Sequence, residues 1–172
     1  MDKNIILIGM PGCGKSTLGV LLAKQMGFGY VDSDVAIQQH TQKRLSDILQ
    51  TEGLDGFIAI EGAINTQLAK GMSRTVIATG GSAIYHHEAM QELCKSGICV
   101  YIEVSLPTLE KRLGDYSQRG VALPKGYTLQ DLYAERDPLY CKYAHITQKE
   151  NPQTSMQEVV RQLEKLIIDC KK

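Results

Sequence analysis

Residues 4–17 read NIILIGMPGCGKST, and this stretch decides the fold of the chain. It begins as an apolar run typical of a buried β-strand, passes through the glycine-rich turn GMPGCGKS at residues 9–16, and enters a helix-like pattern. The glycines permit a tight turn that aims successive backbone N–H groups at phosphate oxygens, and the helix that follows adds the positive end of its dipole. A turn that merely links strand to helix is the alternative, but the complete GxxxxGKS motif in this context favours a phosphate-binding loop.

The residue types in this loop indicate which groups of a nucleotide they would contact. Lys15 would lie between the β- and γ-phosphates of ATP, where its charge stabilises the transferred group, and the Ser16 hydroxyl would ligate Mg²⁺. We therefore predict ATP and Mg²⁺ as cofactors and Lys15 as a catalytic residue. The nucleotide-binding residues expected in the loop are Gly12, Cys13, Gly14, Lys15, Ser16 and Thr17.

Apolar runs and helix-like stretches alternate along the rest of the chain. Strands are expected at residues 5–9, 30–32, 75–79, 98–104 and 145–148, and helices at residues 15–26, 36–69, 87–95, 107–113, 129–143 and 155–170. Strands that are apolar throughout and separated by helices indicate a parallel sheet that is covered on both faces. We predict a single α/β domain over residues 1–172, built on a five-stranded parallel sheet, with a glycine-containing mobile loop at about residues 114–127.

The composition argues against several classes of function. The 172 residues carry 19 basic and 19 acidic side chains, so the net charge of zero gives no reason to expect a nucleic-acid or membrane partner. No apolar run approaches the roughly 18 residues that span a bilayer, and the N-terminus lacks the layout of a signal peptide, so we expect a cytoplasmic protein. The five cysteines form no CxxC pair, which favours reduced thiols over a disulfide framework or a zinc site. We expect a monomer.

Two acidic side chains, Asp32 and Asp34, follow the second expected strand. Because the carboxyl ends of neighbouring parallel strands share a crevice, these carboxylates are expected to face the phosphate loop. One of them could hold the water shell of Mg²⁺, and the other could accept the proton of an attacking hydroxyl. The alternative is an N-cap for the helix that follows, a position that aspartate suits.

Glycines and arginines further along the chain complete the candidate site. Gly80 and Gly81 follow the third expected strand, where absent side chains let a ligand approach the backbone, although a plain turn explains them equally well. Phosphoryl transfer also needs cations beyond the loop lysine. Arg112, Arg119 and Arg136 are the candidates, against the alternative of solvated surface charges. Arg119 lies in the glycine-containing loop, which could bring it over the γ-phosphate.

The order of these motifs resembles the shikimate kinase family, small P-loop kinases related in fold to the nucleoside monophosphate kinases. The likeness runs over nearly the whole chain, from GxxGxGKST at residues 9–17 through DSD, ATGG and Arg112 to ERDPLY at residues 135–140. Phe57 and Glu61 stand where the family has FRxxE. The resemblance implies a helical substrate-binding insert at about residues 36–69 and a lid at about residues 114–127.

The resemblance also implies roles for individual residues. Asp34 would contact the hydroxyls of the acceptor and act as the catalytic base, and Asp32 would hold the magnesium shell. Arg112 and Pro152 would flank adenine, and Arg119 would be catalytic. The positions that would bind the acceptor are Asp34, Ile58, Gly80, Gly81 and Arg136.

Five positions depart from the family pattern. The FRxxE arginine, which grips the substrate carboxylate, is Ile58, and the glutamate of GExxFR is Leu54. The third glycine of GGG is Ser82, and the aspartate expected after ERxPLYxxxA is His145. The RPLL of the lid reads RGVAL, starting at Arg119. Four of the five changes are expected to line the substrate or lid side, whereas the ATP side is intact.

The function that these residues predict is ATP-dependent phosphorylation of a hydroxyl on a small metabolite, and the resemblance implies shikimate as the leading substrate. A kinase of the same fold with another acceptor, such as a hydroxy amino acid or a sugar acid, is the first alternative, favoured by Ile58, Leu54 and Ser82. A regulatory module that binds nucleotide without transferring phosphate is the second.

Overall fold

A computed structural model describes residues 3–114, 126–151 and 153–170 of the chain. Arg119, Pro152 and nearly all of the predicted lid at residues 114–127 lie outside the described residues.

Five parallel strands form one sheet in the order β2-β3-β1-β4-β5, which confirms the predicted fold class. They are β1 (Asn4–Ile8), β2 (Gly29–Asp32), β3 (Thr75–Ala78), β4 (Gly97–Glu103) and β5 (Ile146–Lys149). Every bound lies within about one residue of the sequence-based expectation. Strands β1, β3 and β4 are buried almost throughout, so their apolar runs are easy to recognise.

Seven helices connect and cover the strands in the described parts of the chain. They are α1 (Lys15–Met26), α2 (Ser33–Thr41), α3 (Leu45–Gly71), α4 (His87–Ser96), α5 (Leu106–Leu113), α6 (Leu129–Tyr143) and α7 (Met156–Asp169), with a 3₁₀ turn at Ala83–Tyr85. Helix α1 packs with α7 while α3 packs with α4, and both pairs also contact the sheet. None of the helices in these ranges combines the length and the apolar character that crossing a membrane requires.

The segment at residues 36–69, for which a helical pattern was predicted, is helical but not one continuous helix. The segment forms two helices, since α2 ends at Thr41 and Gln42 adopts a left-handed conformation with φ of 55°. Helix α3 is itself kinked at Gly53, where φ is 71° and ψ is −175°. Glycine adopts this conformation without a steric penalty, so the periodic apolar pattern continues across a break in the backbone.

The core is centred on β1, where the four residues 5–8 are fully buried. Thr79 fastens the end of β3 to this strand, because its N–H and its hydroxyl both donate to the Leu7 carbonyl, at 3.1 and 3.0 Å. The loops that leave β1, β2 and β3 therefore emerge side by side at one edge of the sheet, as parallel strands require.

Gly97 at the start of β4 should be intolerant of any side chain. A Cβ there would lie 2.1 Å from the Asn4 carbonyl oxygen of the paired strand, and backbone cannot move aside as a side chain can. We expect Gly97→Ala to lower the free energy of unfolding by about 1–3 kcal/mol, the usual cost of overpacking. Urea unfolding followed by circular dichroism measures this loss.

Gly71→Ala is the matched control. A Cβ at Gly71 would meet nothing within 4 Å, and this residue ends α3, so alanine should be neutral or slightly stabilising. Equal losses in the two variants would contradict the proposed clash.

Candidate active site

A cavity of about 330 Å³ opens where the loops after β1, β2 and β3 meet. Polar and charged side chains from distant parts of the chain converge on it. The residues that line the cavity are Pro11, Gly12, Gly14, Lys15, Ser16, Thr17, Asp32, Asp34, Leu45, Phe57, Thr79, Gly80, Gly81, Ser82, Leu113 and Arg136.

The loop between β1 and α1 has the geometry of a phosphate-binding turn. Gly9 packs so closely on β4 that a Cβ would lie 2.8 Å from the Ile102 carbonyl oxygen, and Gly12 has φ of 78°. Lys15 begins α1 and is almost completely buried, and its Nζ donates to the carbonyls of Gly9 and Met10 at 2.7 and 3.0 Å. The loop thus holds a cation next to the positive end of a helix dipole, an arrangement suited to polyphosphate.

Asp32 links the phosphate loop to the second strand. Its Oδ2 accepts hydrogen bonds from the Ser16 hydroxyl at 2.7 Å and the Tyr30 hydroxyl at 3.3 Å. Its Oδ1 accepts from the Asp34 N–H at 3.0 Å and so caps α2, which means that the capping role considered above coexists with the contact to Ser16.

The Ser16 and Asp32 oxygens fit a magnesium ion. Hydroxyl and carboxylate oxygens are the hard donors that Mg²⁺ prefers, and the ion usually keeps several waters beside one or two protein ligands. Over the described ranges, no group of three or more His, Cys, Asp or Glu side chains gathers as a metal cage. This pair is therefore suited to a metal that is shared with phosphates rather than one enclosed by protein.

Asp34 and Glu61 approach each other behind Gly80. A Cβ at Gly80 would lie 2.2 Å from Glu61 Oε1 and 2.8 Å from Asp34 Oδ1, so only glycine fits against the two carboxyl groups. Burial raises the pKa of Asp34, the Asp32 carboxylate raises it further, and the Lys15 ammonium opposes them. The result is a carboxyl group with more affinity for a proton than an exposed aspartate has.

Glu61 is fully buried and its partner is Ser82. The Ser82 hydroxyl donates to Glu61 Oε2 at 2.6 Å, whereas Oε1 accepts no hydrogen bond from any described residue. The pKa of Glu61 is raised to about 7, chiefly by burial and also by the charge of Asp34, although the Ser82 hydrogen bond and the charges of Arg136 and Lys15 lower it. Glu61 can therefore exchange a proton near neutral pH.

Arg136 supplies a second buried cation at the cavity. It lies on α6, is completely buried, and its Nε donates to the Tyr85 hydroxyl at 3.1 Å. The guanidinium carbon lies 5.1 Å from the centre of the Tyr85 ring, and the Tyr85 hydroxyl donates to Glu135 at 2.6 Å. A Cβ at Gly81 would lie 3.0 Å from Arg136 Nη1, so the missing side chain opens the approach to the guanidinium.

A second, smaller cavity of about 170 Å³ adjoins the phosphate loop near α5. Cys13 and Gly14 line it together with Arg112, whose guanidinium forms an ion pair with Glu150. Cys13 precedes the helix start at Lys15 and is buried.

The structure separates the sequence-predicted residues into groups. Gly12, Gly14, Lys15, Ser16, Thr17, Asp32, Asp34, Gly80, Gly81 and Arg136 line the main cavity. Cys13 and Arg112 line the second. Arg119 and Pro152 lie outside the described residues.

Ile58 is half-buried on α3 and is not among the residues that line either cavity. Its neighbour Phe57 lines the main one, and consecutive helical residues point about 100° apart. Leu54 packs against the hydrophobic core instead. Of the departures expected to line the substrate side, Ser82 alone does so among the described residues.

The contact of Tyr85 with Arg136 is a feature of the site that the sequence analysis did not predict. It holds Arg136 from a 3₁₀ turn 51 positions away in the chain, and a lone tyrosine carries no spacing signal that would connect the two.

Glu61 should make the folded chain less stable as the pH rises through neutrality. Its pKa is about 7 in the folded protein against an ordinary value of 4.5. At a pH between 4.5 and about 7, Glu61 therefore keeps a proton in the folded chain that it has released in the unfolded chain. Stability is then lost as the pH rises, by about 3 kcal/mol between pH 4.5 and pH 8, since each pKa unit corresponds to about 1.36 kcal/mol.

Glu61→Gln keeps the shape of the side chain and removes the titration. Chemical unfolding of both proteins over a pH series gives the difference between their free energies of unfolding at each pH. The contributions of Asp34 and other titrating groups are present in both proteins and largely cancel in this difference. A difference that stays constant from about pH 5 to pH 8 would contradict the assignment.

Comparison with known proteins identifies the family. A sequence profile described as Shikimate kinase matches residues 11–167. Shikimate kinase of Pseudomonas aeruginosa (strain LESB58) is 38% identical over 170 residues, covering 95% of this chain and 97% of that protein. Shikimate kinase 2 of Yersinia enterocolitica is 32% identical and covers 99% of both chains.

A solved structure agrees with the sequence relatives. Shikimate kinase from Acinetobacter baumannii in complex with shikimate has a TM-score of 0.88 and 32% sequence identity, covering 98% of this chain and 94% of that one. Because the profile and these relatives span almost the whole sequence, this chain belongs to the shikimate kinase family of small-molecule kinases.

Proposed function

We propose that this chain transfers the γ-phosphoryl group of ATP to a hydroxyl of shikimate. The observation that carries the proposal is the convergence of Lys15, Asp34 and Arg136 on one cavity. A loop lysine suits polyphosphate, a carboxyl group with raised pKa suits proton transfer, and a buried guanidinium suits the carboxylate of an acceptor. The relative from Acinetobacter baumannii was solved in complex with shikimate, which supports the same acceptor here.

In the proposed mechanism the chain positions two reactants and neutralises charge. Bound Mg²⁺, held through Ser16 and Asp32, would screen the phosphate charges. Lys15 stabilises the negative charge that spreads over the moving group, as Arg119 would from the lid. The acceptor oxygen bonds to the γ-phosphorus while the bond from that phosphorus to the β–γ bridging oxygen breaks. Asp34 takes the proton that the hydroxyl loses.

The acceptor side would use Arg136 as its cation. Gly80 and Gly81 leave room for a ligand next to Arg136 and the two carboxyl groups. The Tyr85 contact and complete burial fix the guanidinium in place, so it can bind a carboxylate with little further loss of side-chain entropy.

The nucleotide side would extend into the second cavity. Arg112 and Cys13 line it beside the phosphate loop, and we propose that adenine lies there, with Pro152 completing the site. We also propose a single-domain monomer that acts in the cytoplasm. The balanced charge of the chain supports the absence of nucleic-acid and membrane partners.

A kinase with a different acceptor is the second candidate. In place of the family's arginine the chain has Ile58, and Glu61 is paired with the neutral hydroxyl of Ser82. With one cation fewer, the site would suit an acceptor whose binding does not require two arginines, such as a hydroxy amino acid or a sugar acid.

A coupled assay of ADP release tests the acceptor. We expect shikimate to give the highest kcat/KM in a panel that also contains small hydroxy acids, sugar acids and hydroxy amino acids. The parallel test is Asp34→Asn, which keeps hydrogen-bonding capacity but cannot take the proton, so kcat should fall roughly 10²–10⁴-fold with little change in nucleotide affinity.

Asp55→Asn is the matched control for this variant, because Asp55 is exposed and outside both cavities. A kcat for Asp34→Asn equal to that of the control would reduce Asp34 to a structural residue. A panel in which another acceptor exceeds shikimate would favour the second candidate.

Ile58→Arg should lower KM for shikimate, because an arginine side chain is long enough to extend from this half-buried position on α3 to the cavity that the neighbouring Phe57 lines. A guanidinium can donate two parallel hydrogen bonds to a carboxylate, and a charge-assisted hydrogen bond contributes about 1.5–3 kcal/mol, or about 10- to 150-fold in binding. The gain should be larger in the double variant with Ser82→Gly, because Glu61 is then free to orient the new side chain.

Ala59→Arg adds the same charge at the next, exposed position of α3 and should leave KM unchanged. Steady-state kinetics of the parent, Ile58→Arg, the double variant and Ala59→Arg measures the effect on KM. A low KM in the parent that Ile58→Arg does not improve would mean that Arg136 suffices. A loss of turnover with a different acceptor would point to the second candidate.

A further inference from the structure

Two cysteines meet outside the cavities described above. Cys94 lies near the end of α4 and Cys99 lies in β4, and their sulfur atoms are 3.2 Å apart. The chain passes directly from α4, which ends at Ser96, into β4, which begins at Gly97. This turn brings two side chains five positions apart into direct contact.

The two thiols differ in access to solvent. Cys94 is half-buried, whereas Cys99 is completely buried. The contact with Cys99 lowers the pKa of the Cys94 thiol, and the same contact together with burial raises the pKa of the Cys99 thiol. An accessible thiol that ionises more easily thus lies against a protected one, which is the arrangement of an attacking and a resolving thiol.

Hydrogen bonds with His145 fix the backbone of Cys99, whereas Cys94 lies in α4 with its side chain half-buried. The Cys99 N–H donates to His145 Nδ1 at 3.0 Å, and the His145 N–H donates to the Cys99 carbonyl at 2.8 Å. Cys94 makes a looser contact, 3.8 Å from the Tyr143 carbonyl. A disulfide has a sulfur–sulfur distance of about 2.05 Å, so a shift of about 1 Å of the half-buried side chain closes the bond.

We propose that Cys94 and Cys99 are a modification site, where a small-molecule disulfide converts the two thiols into a reversible intramolecular disulfide. The Cys94 thiolate attacks one sulfur of the small disulfide, whose other half leaves as a thiolate. Cys99 then loses its proton and attacks the Cys94 sulfur, and the second half leaves as a thiolate. The chain loses two hydrogens while the small disulfide is reduced to two thiols.

The position of Lys95 allows a direct test. Trypsin cleaves after Arg74, Lys95 and Lys111, so Cys94 and Cys99 fall in the adjacent peptides 75–95 and 96–111. The folded full-length chain is incubated with oxidised glutathione, its remaining thiols are alkylated, and the digest is analysed by mass spectrometry. We expect the two peptides to be joined, and to separate after treatment with dithiothreitol.

Variants separate the two steps. In Cys99→Ser the attacking thiol lacks its resolving partner, so Cys94 should accumulate as a stable adduct with glutathione. In Cys94→Ser, Cys99 should stay unmodified while the protein is folded, as thermal unfolding of each variant verifies. The exposed Cys141 and Cys170 are internal controls, which should carry glutathione in the parent and in both variants.

Two outcomes would overturn the proposal. One is a folded parent in which Cys94 carries glutathione and no joined peptides form. The other is a parent in which neither cysteine reacts while Cys141 and Cys170 do. Each would mean that the two sulfurs are packed together without exchanging.

Discussion

The candidate site depends on the placement of β1 at the centre of the sheet. Because β1 pairs with β3 on one side and with β4 on the other, the phosphate loop emerges between the segments that follow its neighbours. Gly9 then packs on the Ile102 carbonyl with no room for a side chain, and Thr79 bonds twice to Leu7. These contacts at the end of β1, together with the burial of residues 5–8 on both faces of the sheet, fix where the phosphate loop leaves the strand.

Local patterns predicted the parts of the molecule that depend on neighbouring residues. The apolar runs, the GxxxxGKS turn and the DSD segment specify five strands, the phosphate loop and the acids beside it. The break between α2 and α3 escaped prediction because it depends on the backbone conformations of Gln42 and Gly53, which leave the apolar periodicity nearly unchanged. Long-range partners escaped as well, since the hydrogen bonds from Arg136 to Tyr85 and from Ser82 to Glu61 span 51 and 21 positions.

Buried charge is the main energetic cost of this site, and the chain limits it by pairing. The Lys15 ammonium is held by two loop carbonyls, and Arg136 is held by Tyr85. Removing one partner of a buried charged hydrogen bond costs more stability than the bond contributes, because the other partner is left buried and without its hydrogen bond. Protein atoms thus hold both cations in position, which favours precise orientation of a phosphate and an acceptor.

Glu61 shows how one departure from the family pattern can be accommodated by another. The charges of Arg136 and Lys15 reach Glu61 and favour its ionised form, but a fully buried carboxyl group still needs a hydrogen-bond donor or a proton. Ser82 supplies the donor at 2.6 Å, and the raised pKa of about 7 lets Glu61 hold a proton through much of the neutral range. Ile58 and Ser82 are therefore best understood together, since a serine hydroxyl satisfies one carboxyl oxygen without adding charge. Arg136 is the one arginine among the described residues that line the main cavity.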